Sequence, residues 1–319
     1  MTLSSRPYIR GARPEDRDGV FRFCQNTWEW GDYIPQVWDR WLAEPRGKLL
    51  VAILGGQPVA LDHVVMVSPE EAWLEGLRVD PAHRRAGLAT LMARRCLKEA
   101  KSLGARVARF ATSSLNTPIH ILAAHLGFSR VAAIGVWRAE ATPGRGAMPS
   151  RPGAQALTPL LSFLQGSAAL AAMGGLYSSG WRFKSLSPDE LRGNLEGGVV
   201  REVKVPDGAG AMAIVEPGHP GEGLVVSYAD GSPGVLTELA LGLRAEAADI
   251  GLPLVSARLP DVPQVREAFR KAGYEPAGDS AFWVYERFLR PSAVGESRPS
   301  AAHPWRASPG RCSLDISAH

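Results

Sequence analysis

A basic turn between a strand and a helix is the clearest chemical signal in the sequence. From Leu77 to Ala89 the chain reads LRVDPAHRRAGLA, so an apolar stretch passes through two arginines and a glycine into a helical pattern. Backbone N–H groups at a helix N-terminus are unpaired and lie at the positive end of the helix dipole. Gly87 allows close approach to this backbone, and Arg84 and Arg85 add positive charge. The turn therefore predicts a phosphate-binding site.

Glu75, just before this turn, is the leading candidate for a general base. Alternation along a strand would place Glu75 on the same face as Leu77 and Val79. Partial burial would raise the pKa of its carboxyl group toward neutrality. The alternative is that Glu75 only orders a loop or forms a salt bridge. Asp62 and His63 are the next candidates, because polar residues that interrupt an apolar strand usually face a cleft or water.

Aromatic residues and carboxylates are concentrated in residues 26–41, which read NTWEWGDYIPQVWDRW. Aromatic faces beside carboxylates suit a cationic or amine-bearing ligand. The candidate ligand contacts are Trp28, Trp30, Asp32 and Tyr33. Trp38 and Trp41 have the spacing of a helix face that packs on the core.

Alternating strands and helices position these residues. Residues 8–137 have the pattern β α α β β β α β α β, and residues 224–288 repeat its last five elements. The helix ends also correspond, since Leu103-Gly104 parallels Ile250-Gly251 and Gly127-Phe128 parallels Gly273-Tyr274. An internal duplication is therefore predicted.

The length of 319 residues suits two domains of roughly 140 residues each. Residues 140–157 are rich in Pro, Gly, Ala and Ser without hydrophobic periodicity, which indicates a linker between domains at 1–139 and 158–290. Residues 291–319 contain few apolar side chains and repeated Ser and Pro, which predicts a disordered tail.

The composition is typical of packed domains, with 45% hydrophobic and 21% charged residues. No stretch approaches the ~18 apolar residues of a membrane helix, and the N-terminus has no signal-peptide core. The three cysteines are widely spaced, which argues against a disulfide framework or a cysteine metal site. We therefore expect a cytoplasmic protein without a metal. The net charge of +4 favours a small anion over nucleic acid as the bound partner.

The pattern Arg84-x-x-Gly87-x-Ala89, with Leu77-x-Val79-x-Pro81 before it and Asn116 and Leu126-Gly127-Phe128 after it, resembles the GCN5-related N-acetyltransferase (GNAT) family. The resemblance covers residues 7–138. It implies an α/β (α+β) protein with tandem GNAT folds, in which helices flank a mixed central sheet with a splayed parallel strand pair. It also implies acetyl-coenzyme A (acetyl-CoA) as cofactor.

The resemblance assigns the cofactor to a strand, a turn and one asparagine. The residues are Leu77, Arg78, Val79, Arg84, Arg85, Ala86, Gly87, Leu88, Ala89, Thr90 and Asn116. Asn116 precedes Thr117-Pro118, so it could equally be a helix N-cap.

The tyrosine that protonates the departing thiolate in this family corresponds here to Ala123. The resemblance therefore leaves the general acid open. Tyr33, His120 or His125 could replace it, or the thiolate could leave without a positioned acid. Helical spacing predicts that the two histidines are surface residues on different sides of their helix.

Two short segments, Gly31–Pro35 and Leu74–Val79, look similar to vertebrate histidine N-acetyltransferases. This similarity implies direct acetyl transfer, in a ternary complex, to a primary amine of a small amino-acid-like acceptor. A non-catalytic sensor of acetyl-CoA or an amino acid, and a protein or peptide N-acetyltransferase, are the alternatives.

The second half offers only Ala229–Gly234 where the basic turn would lie, and Asp230 would repel a phosphate. We interpret it as a degenerate GNAT-like domain that binds no second cofactor, completes the acceptor cleft and could replace a dimer partner. The chain is expected to be a monomer or homodimer, with neither nucleic acid nor membrane as a partner.

Overall fold

The computed structural model describes residues 6–25, 27, 31–144, 148–206, 208–218 and 221–289. The predicted ligand contacts Trp28 and Trp30 and the predicted tail at 291–319 lie outside these ranges. Within these ranges, no helix has the length and apolar character needed to cross a membrane.

The first half has the predicted order of strands and helices. Its strands are β1 (Tyr8–Gly11), β2 (Gly47–Leu54), β3 (Gln57–Met66), β4 (Glu71–Val79), β5 (Val107–Ser113) and β6 (Ser129–Glu140). Its helices are α1 (Arg17–Cys24), α2 (Ile34–Leu42), α3 (Leu88–Ser102) and α4 (Thr117–His125). A 3-10 turn over Pro14–Asp16 leads into α1.

In its described residues, the second half contains the five predicted elements and eight further helices and strands that the sequence did not indicate. Its helices are α5 (Leu157–Gln165), α6 (Ala168–Ala172), α7 (Pro188–Glu196), α8 (Pro233–Asp249) and α9 (Pro263–Lys271). Its strands are β7 (Leu176–Ser179), β8 (Arg182–Ser185), β9 (Val200–Val205), β10 (Gly208–Pro217), β11 (Leu224–Gly231), β12 (Leu254–Pro260), β13 (Glu275–Pro276) and β14 (Phe282–Phe288).

One large mixed sheet runs through both halves in the order β1-β2-β3-β4-β5-β14-β6-β12-β11-β10-β9, with β13 also paired to β6. The last strand of the second half, β14, lies between β5 and β6 of the first half, and β6 in turn pairs with β12. The predicted mixed sheet is confirmed. The division into 1–139 and 158–290 stays a prediction about the chain, since the hydrogen-bonded sheet is continuous across it.

The sheet of the first half has two different faces. Leu61 of β3 packs with Trp38 and Trp41 of α2, which defines the α2 face. Leu74 of β4 packs with Met92 of α3, which defines the α3 face. Pro at N2 of α2, and buried side chains four residues apart along α3, favour these helices where they lie.

Candidate functional site

β4 and β5 form the splayed parallel pair that the sequence predicts. They pair only from Glu71 with Val107 to Trp73 with Arg109, whereas β4 continues to Val79 and β5 to Ser113. Beyond Trp73, within the part of the chain that the structure describes, β4 is no longer paired with β5. An extended ligand could form hydrogen bonds there, as an added strand would.

The basic turn leads from the end of β4 into α3. The side chain of Asp80 accepts a hydrogen bond from the backbone N of Ala82 at 2.9 Å and fixes the start of the turn. Arg85 has φ of 62° and Gly87 has φ of 78°. A Cβ atom on Gly87 would meet no atom within 4 Å, so the backbone there faces open space. The side chains of Arg84 and Arg85 are exposed, which suits the approach of a pyrophosphate to this turn.

Of the other predicted cofactor residues in this turn, Ala86 is exposed, and Ala89 and Thr90 are half-buried. Leu88 is buried in the core beneath α3. Its side chain anchors the helix, so only its backbone could contact a ligand.

A β-bulge separates Glu75 from Leu77. Glu75 pairs with His63 and Arg78 pairs with Leu61, so Gly76 and Leu77 together lie opposite Asp62. Gly76 has φ of 82°, which favours glycine, and its Cα packs against the Trp41 ring. The expectation that Glu75 shares a face with Leu77 and Val79 is wrong. Leu77 and Val79 pack on the α3 face, while Glu75 lies on the α2 face beside His63.

Two donors hold the Glu75 carboxylate. His63 Nδ1 lies 3.0 Å from Oε1, and Arg182 of β8 donates to Oε1 from Nη2 at 2.6 Å and to Oε2 from Nε at 3.2 Å. Burial would raise the pKa of Glu75, but the hydrogen bonds and the positive charge of Arg182 outweigh it, and the pKa is lowered. The expectation of a raised pKa is therefore wrong. Glu75 keeps 16% side-chain exposure and stays ionised at neutral pH.

Asp62 and His63 are buried, contrary to the expectation that they face a cleft or water. His63 is 0% exposed and stacks on Trp41 at 4.4 Å between ring centroids. Burial lowers its pKa, so neutral His63 donates from Nδ1 to Glu75. Asp62 is 2% exposed and hydrogen-bonds Cys96 of α3, and burial raises its pKa to about 7. Both residues are inaccessible to an acceptor, and His63 orients Glu75.

Asp32 and Tyr33 lie on the same side of the sheet as Glu75. Arg78 donates to Asp32 from Nε at 2.8 Å and from Nη2 at 3.1 Å, and its guanidinium lies 5.1 Å from the centre of the Tyr33 ring. Asp32 also accepts from the backbone N of Ile34, which fixes the start of α2. Asp32 is therefore bound within the fold. Tyr33, half-buried and edge-on to Trp41, forms a wall of the region around Glu75.

The start of α4 shows whether Asn116 caps the helix, which was one of its two predicted roles. Asn116 occupies the N-cap position, but its side chain makes no capping bond and instead donates to Thr112 Oγ1 at 3.0 Å. The predicted contact with acetyl-CoA stays a prediction.

The position that corresponds to the family's tyrosine supplies no acid, because Ala123 has no ionisable side chain, and it is buried in the core. His120 is not a free surface residue. Its Nε2 lies 3.1 Å from the carbonyl oxygen of Ser114, and its Nδ1 lies 3.0 Å from the hydroxyl of Tyr285 on β14. His125 is exposed, 3.3 Å from Arg94, as the sequence predicts for a surface residue.

The second half has its own parallel pair, in which β11 and β12 pair only from Leu224–Val226 to Val255–Ala257. Here α6 lies against both strands, and Ser167 before it donates to Asp230 Oδ2 at 2.5 Å. Asp230 is thus buried and bound to the residues that begin α6.

Cavity size does not identify the site. Two adjoining cavities of about 710 and 580 Å³ share Lys101, Gly127, Arg287 and Leu289. His125, an alternative for the general acid, lines the smaller one, and none of the other candidate residues within the described ranges lines either. Arg182 could not be found from the sequence, because it lies 107 residues from Glu75 in a segment without a recognisable pattern.

Comparisons with known proteins show what parts of the chain resemble. Residues 19–128 match the family model described as the acetyltransferase (GNAT) family. Histidine N-acetyltransferase of Scomber australasicus is 34% identical over 92 residues, which cover 28% of this chain and 27% of that protein. The protein of the same name from Oreochromis niloticus is 33% identical over 92 residues, with the same coverage. The chain thus spans about a quarter of the length of these curated relatives.

The fold likeness extends through the second half. A crystal structure of a GCN5-related N-acetyltransferase from Sphaerobacter thermophilus superposes with a TM-score of 0.59 at 14% identity, covering 91% of this chain and 98% of that one. At this identity the match shows the fold alone. The match to the acetyltransferase (GNAT) family thus covers residues 19–128, within a fold whose likeness to solved structures spans both halves.

Proposed function

We propose that this protein transfers the acetyl group of acetyl-CoA to the primary amine of a small, amino-acid-like acceptor, directly and in a ternary complex. One observation carries the proposal. The gap between β4 and β5 opens beside Glu75 and leads to the turn at Arg84–Gly87, within the segment that matches the family.

The residues along this gap have the properties that the cofactor needs. The backbone of Leu77 and Val79 is available to pair with the pantetheine arm. The turn at residues 84–87 and the first amides of α3 would hold the pyrophosphate, because they combine positive charge with unpaired N–H groups. Acetyl-CoA supplies the activated acetyl thioester.

Glu75 is the proposed proton acceptor for the incoming ammonium group, directly or through a water molecule. Its lowered pKa keeps the carboxylate charged, so it attracts a cationic acceptor at neutral pH. The ammonium loses one proton to become the amine that attacks. Once this nitrogen is bonded to the acetyl carbon it is positively charged and acidic, and it must lose a second proton while the C–S bond breaks and coenzyme A leaves as its thiolate. A carboxylate of low pKa can therefore still take the proton during this step.

The acceptor class rests on the relatives and on the walls of the site. The two fish relatives are named as acetyltransferases of histidine, an amino acid. Tyr33 and Trp41 lie on the α2 face near Glu75, and Arg182 of β8 reaches Glu75 from the second half.

Mass spectrometry of the purified chain, incubated with acetyl-CoA and a panel of free amino acids, simple amines and peptides, tests the proposal. We expect acetylated product from one or a few free amino acids. Product from peptides alone would indicate a protein or peptide acetyltransferase. Acetyl-CoA binding in calorimetry without any product would indicate a sensor.

A further inference from the structure

The hairpin of β7 and β8 belongs to the second half but lies against β4 and β5 of the first half. Ser185 donates from its backbone N to Glu71 Oε2 at 3.1 Å, and Arg109 of β5 bonds both Glu71 and Ser185. The ring of Phe183 lies 5.9 Å from the ring of Trp73. The hairpin is thus fixed where β4 and β5 begin to separate.

The turn of the hairpin is fixed from the other side by a buried arginine of β12. The guanidinium of Arg258 lies 4.4 Å from the Trp181 ring, donates to the carbonyl of Gly180, and reaches Ser178 Oγ at 3.2 Å. Glu222 balances its charge at 3.3 Å. The turn before β8 and the last residue of β8 are therefore both fixed. Arg182 is the first residue of β8 and lies between these two fixed points.

Arg182 contacts the candidate base directly. Its Nη2 and Nε atoms form a fork on the two oxygens of Glu75, with 28% of the side chain exposed. Such a fork fixes the plane of a carboxylate as well as its charge. We propose that the second half completes the active site by supplying Arg182 as a positioning residue, which holds Glu75 ionised and oriented toward the acceptor. This inference rests on the proposed role of Glu75 in acetyl transfer.

The groups around Glu75 determine the sign of the expected effect. His63 of β3 and Arg182 of β8 lower the pKa of Glu75, and Tyr33 before α2 and Asp62 of β3 interact with it electrostatically. Without Arg182, burial still raises the pKa of Glu75, and only the hydrogen bond from neutral His63 acts to lower it. The pKa of Glu75 then rises, and a smaller fraction of the carboxylate is available as a base at a given acidic pH.

The kinetic test compares Arg182→Met and Arg182→Lys with Lys184→Met, a control on the same strand whose side chain pairs with Glu190. In Arg182→Met, the acidic limb of kcat/KM against pH should move up by about one pH unit or more. The KM for acetyl-CoA should hardly change, and Arg182→Lys should recover part of the loss. Lys184→Met should behave as wild type. An unmoved acidic limb in folded Arg182→Met, or an equal change in the control, would overturn the proposal.

A second test needs no activity. Carbon-13 labelling of glutamate carboxyl groups gives an NMR titration, in which the Glu75 signal is identified by its loss in Glu75→Gln. The Glu75 midpoint should be higher in Arg182→Met than in wild type, and an identical midpoint would refute the role of Arg182. If the wild-type protein acetylates no acceptor, the proposed function fails, while this titration still decides whether Arg182 sets the charge of Glu75.

Discussion

Glu75 and Leu77 are two residues apart on β4, yet their side chains lie on opposite faces of the sheet, because the bulge at Gly76 reverses the alternation. The bulge therefore places the two side chains in different parts of the proposed site. Leu77 packs toward α3 at the cofactor gap, and Glu75 points toward the α2 face, where an acceptor would approach.

Gly76→Ala should destabilise the protein by about 1–3 kcal/mol and lower turnover. The φ of 82° disfavours alanine, and the new Cβ would lie 2.6 Å from the Trp41 ring. Gly56→Ala is the matched control, since its φ is 80° but a Cβ there meets open space. Urea unfolding of both variants separates backbone strain from the clash. Equal losses of unfolding free energy in the two variants would show that the Trp41 ring moves aside without destabilising the protein.

Gly87→Glu should abolish acetyl-CoA binding, because it adds bulk and negative charge where the backbone faces open space. Calorimetry on the wild type should give one site per chain. Gly104→Glu, just beyond the other end of α3 with φ of 97°, tests whether any such substitution has this effect. Normal affinity in folded Gly87→Glu would show that the pyrophosphate binds elsewhere.

Glu75→Gln should lower turnover by about 10²–10⁴-fold and leave acetyl-CoA affinity nearly unchanged, because glutamine can keep hydrogen bonds but cannot accept the proton. Steady-state kinetics and calorimetry measure the two effects separately. An acidic limb that belongs to Glu75 should disappear in the variant, whereas a limb set by the acceptor amine should persist. Near-normal turnover would exclude Glu75 as the base.

The structure shows why the sequence could predict some of this site and not the rest. The turn at Arg84–Gly87 is a local feature, since spacing and glycine chemistry within a few residues define it. The bulge was not predictable, because one glycine in a strand does not reveal which partner residue it faces. The contact of Arg182 with Glu75 depends on how β8 crosses the sheet, and no local pattern carries that information.

The insertion of β14 between two strands of the first half could not be predicted for the same reason. Helix ends and apolar spacing correctly predicted β6 and β14 as strands, because these signals are local. The position of β14 between β5 and β6 is decided by long-range pairing, on which a single sequence gives no information.

Asp62→Asn should make the stability of the protein less dependent on pH. The pKa of Asp62 is about 7 in the folded state against an ordinary value of 3.8, so the folded protein binds more protons between these values. Stability attributable to Asp62 therefore falls as pH rises through this window, by up to roughly 1.4 kcal/mol per unit of pKa difference. Urea unfolding at pH 5 and pH 8 measures the change. Asp39→Asn is the control, because the Asp39 side chain is 75% exposed, and its stability should depend on pH as in the wild type. If Asp62→Asn also showed the wild-type dependence, the raised pKa of Asp62 would be contradicted.

The shared sheet predicts that neither half folds alone and that the two restore each other. β14 pairs with β5 along its whole length and with β6 on its other side, and buried Arg109 pairs with Glu286 of β14 at 2.8 Å. A fragment of residues 1–144 would expose both strand edges and remove Glu286 from beside Arg109, which would keep its ion pair with Glu71. We expect it to lack a cooperative thermal transition in circular dichroism.

Mixing this fragment with residues 148–319 should restore that transition and acetyl-CoA binding, whereas residues 148–276, which lack β14, should restore neither. Cooperative folding and acetyl-CoA binding by residues 1–144 alone would show that β14 is dispensable to the first half.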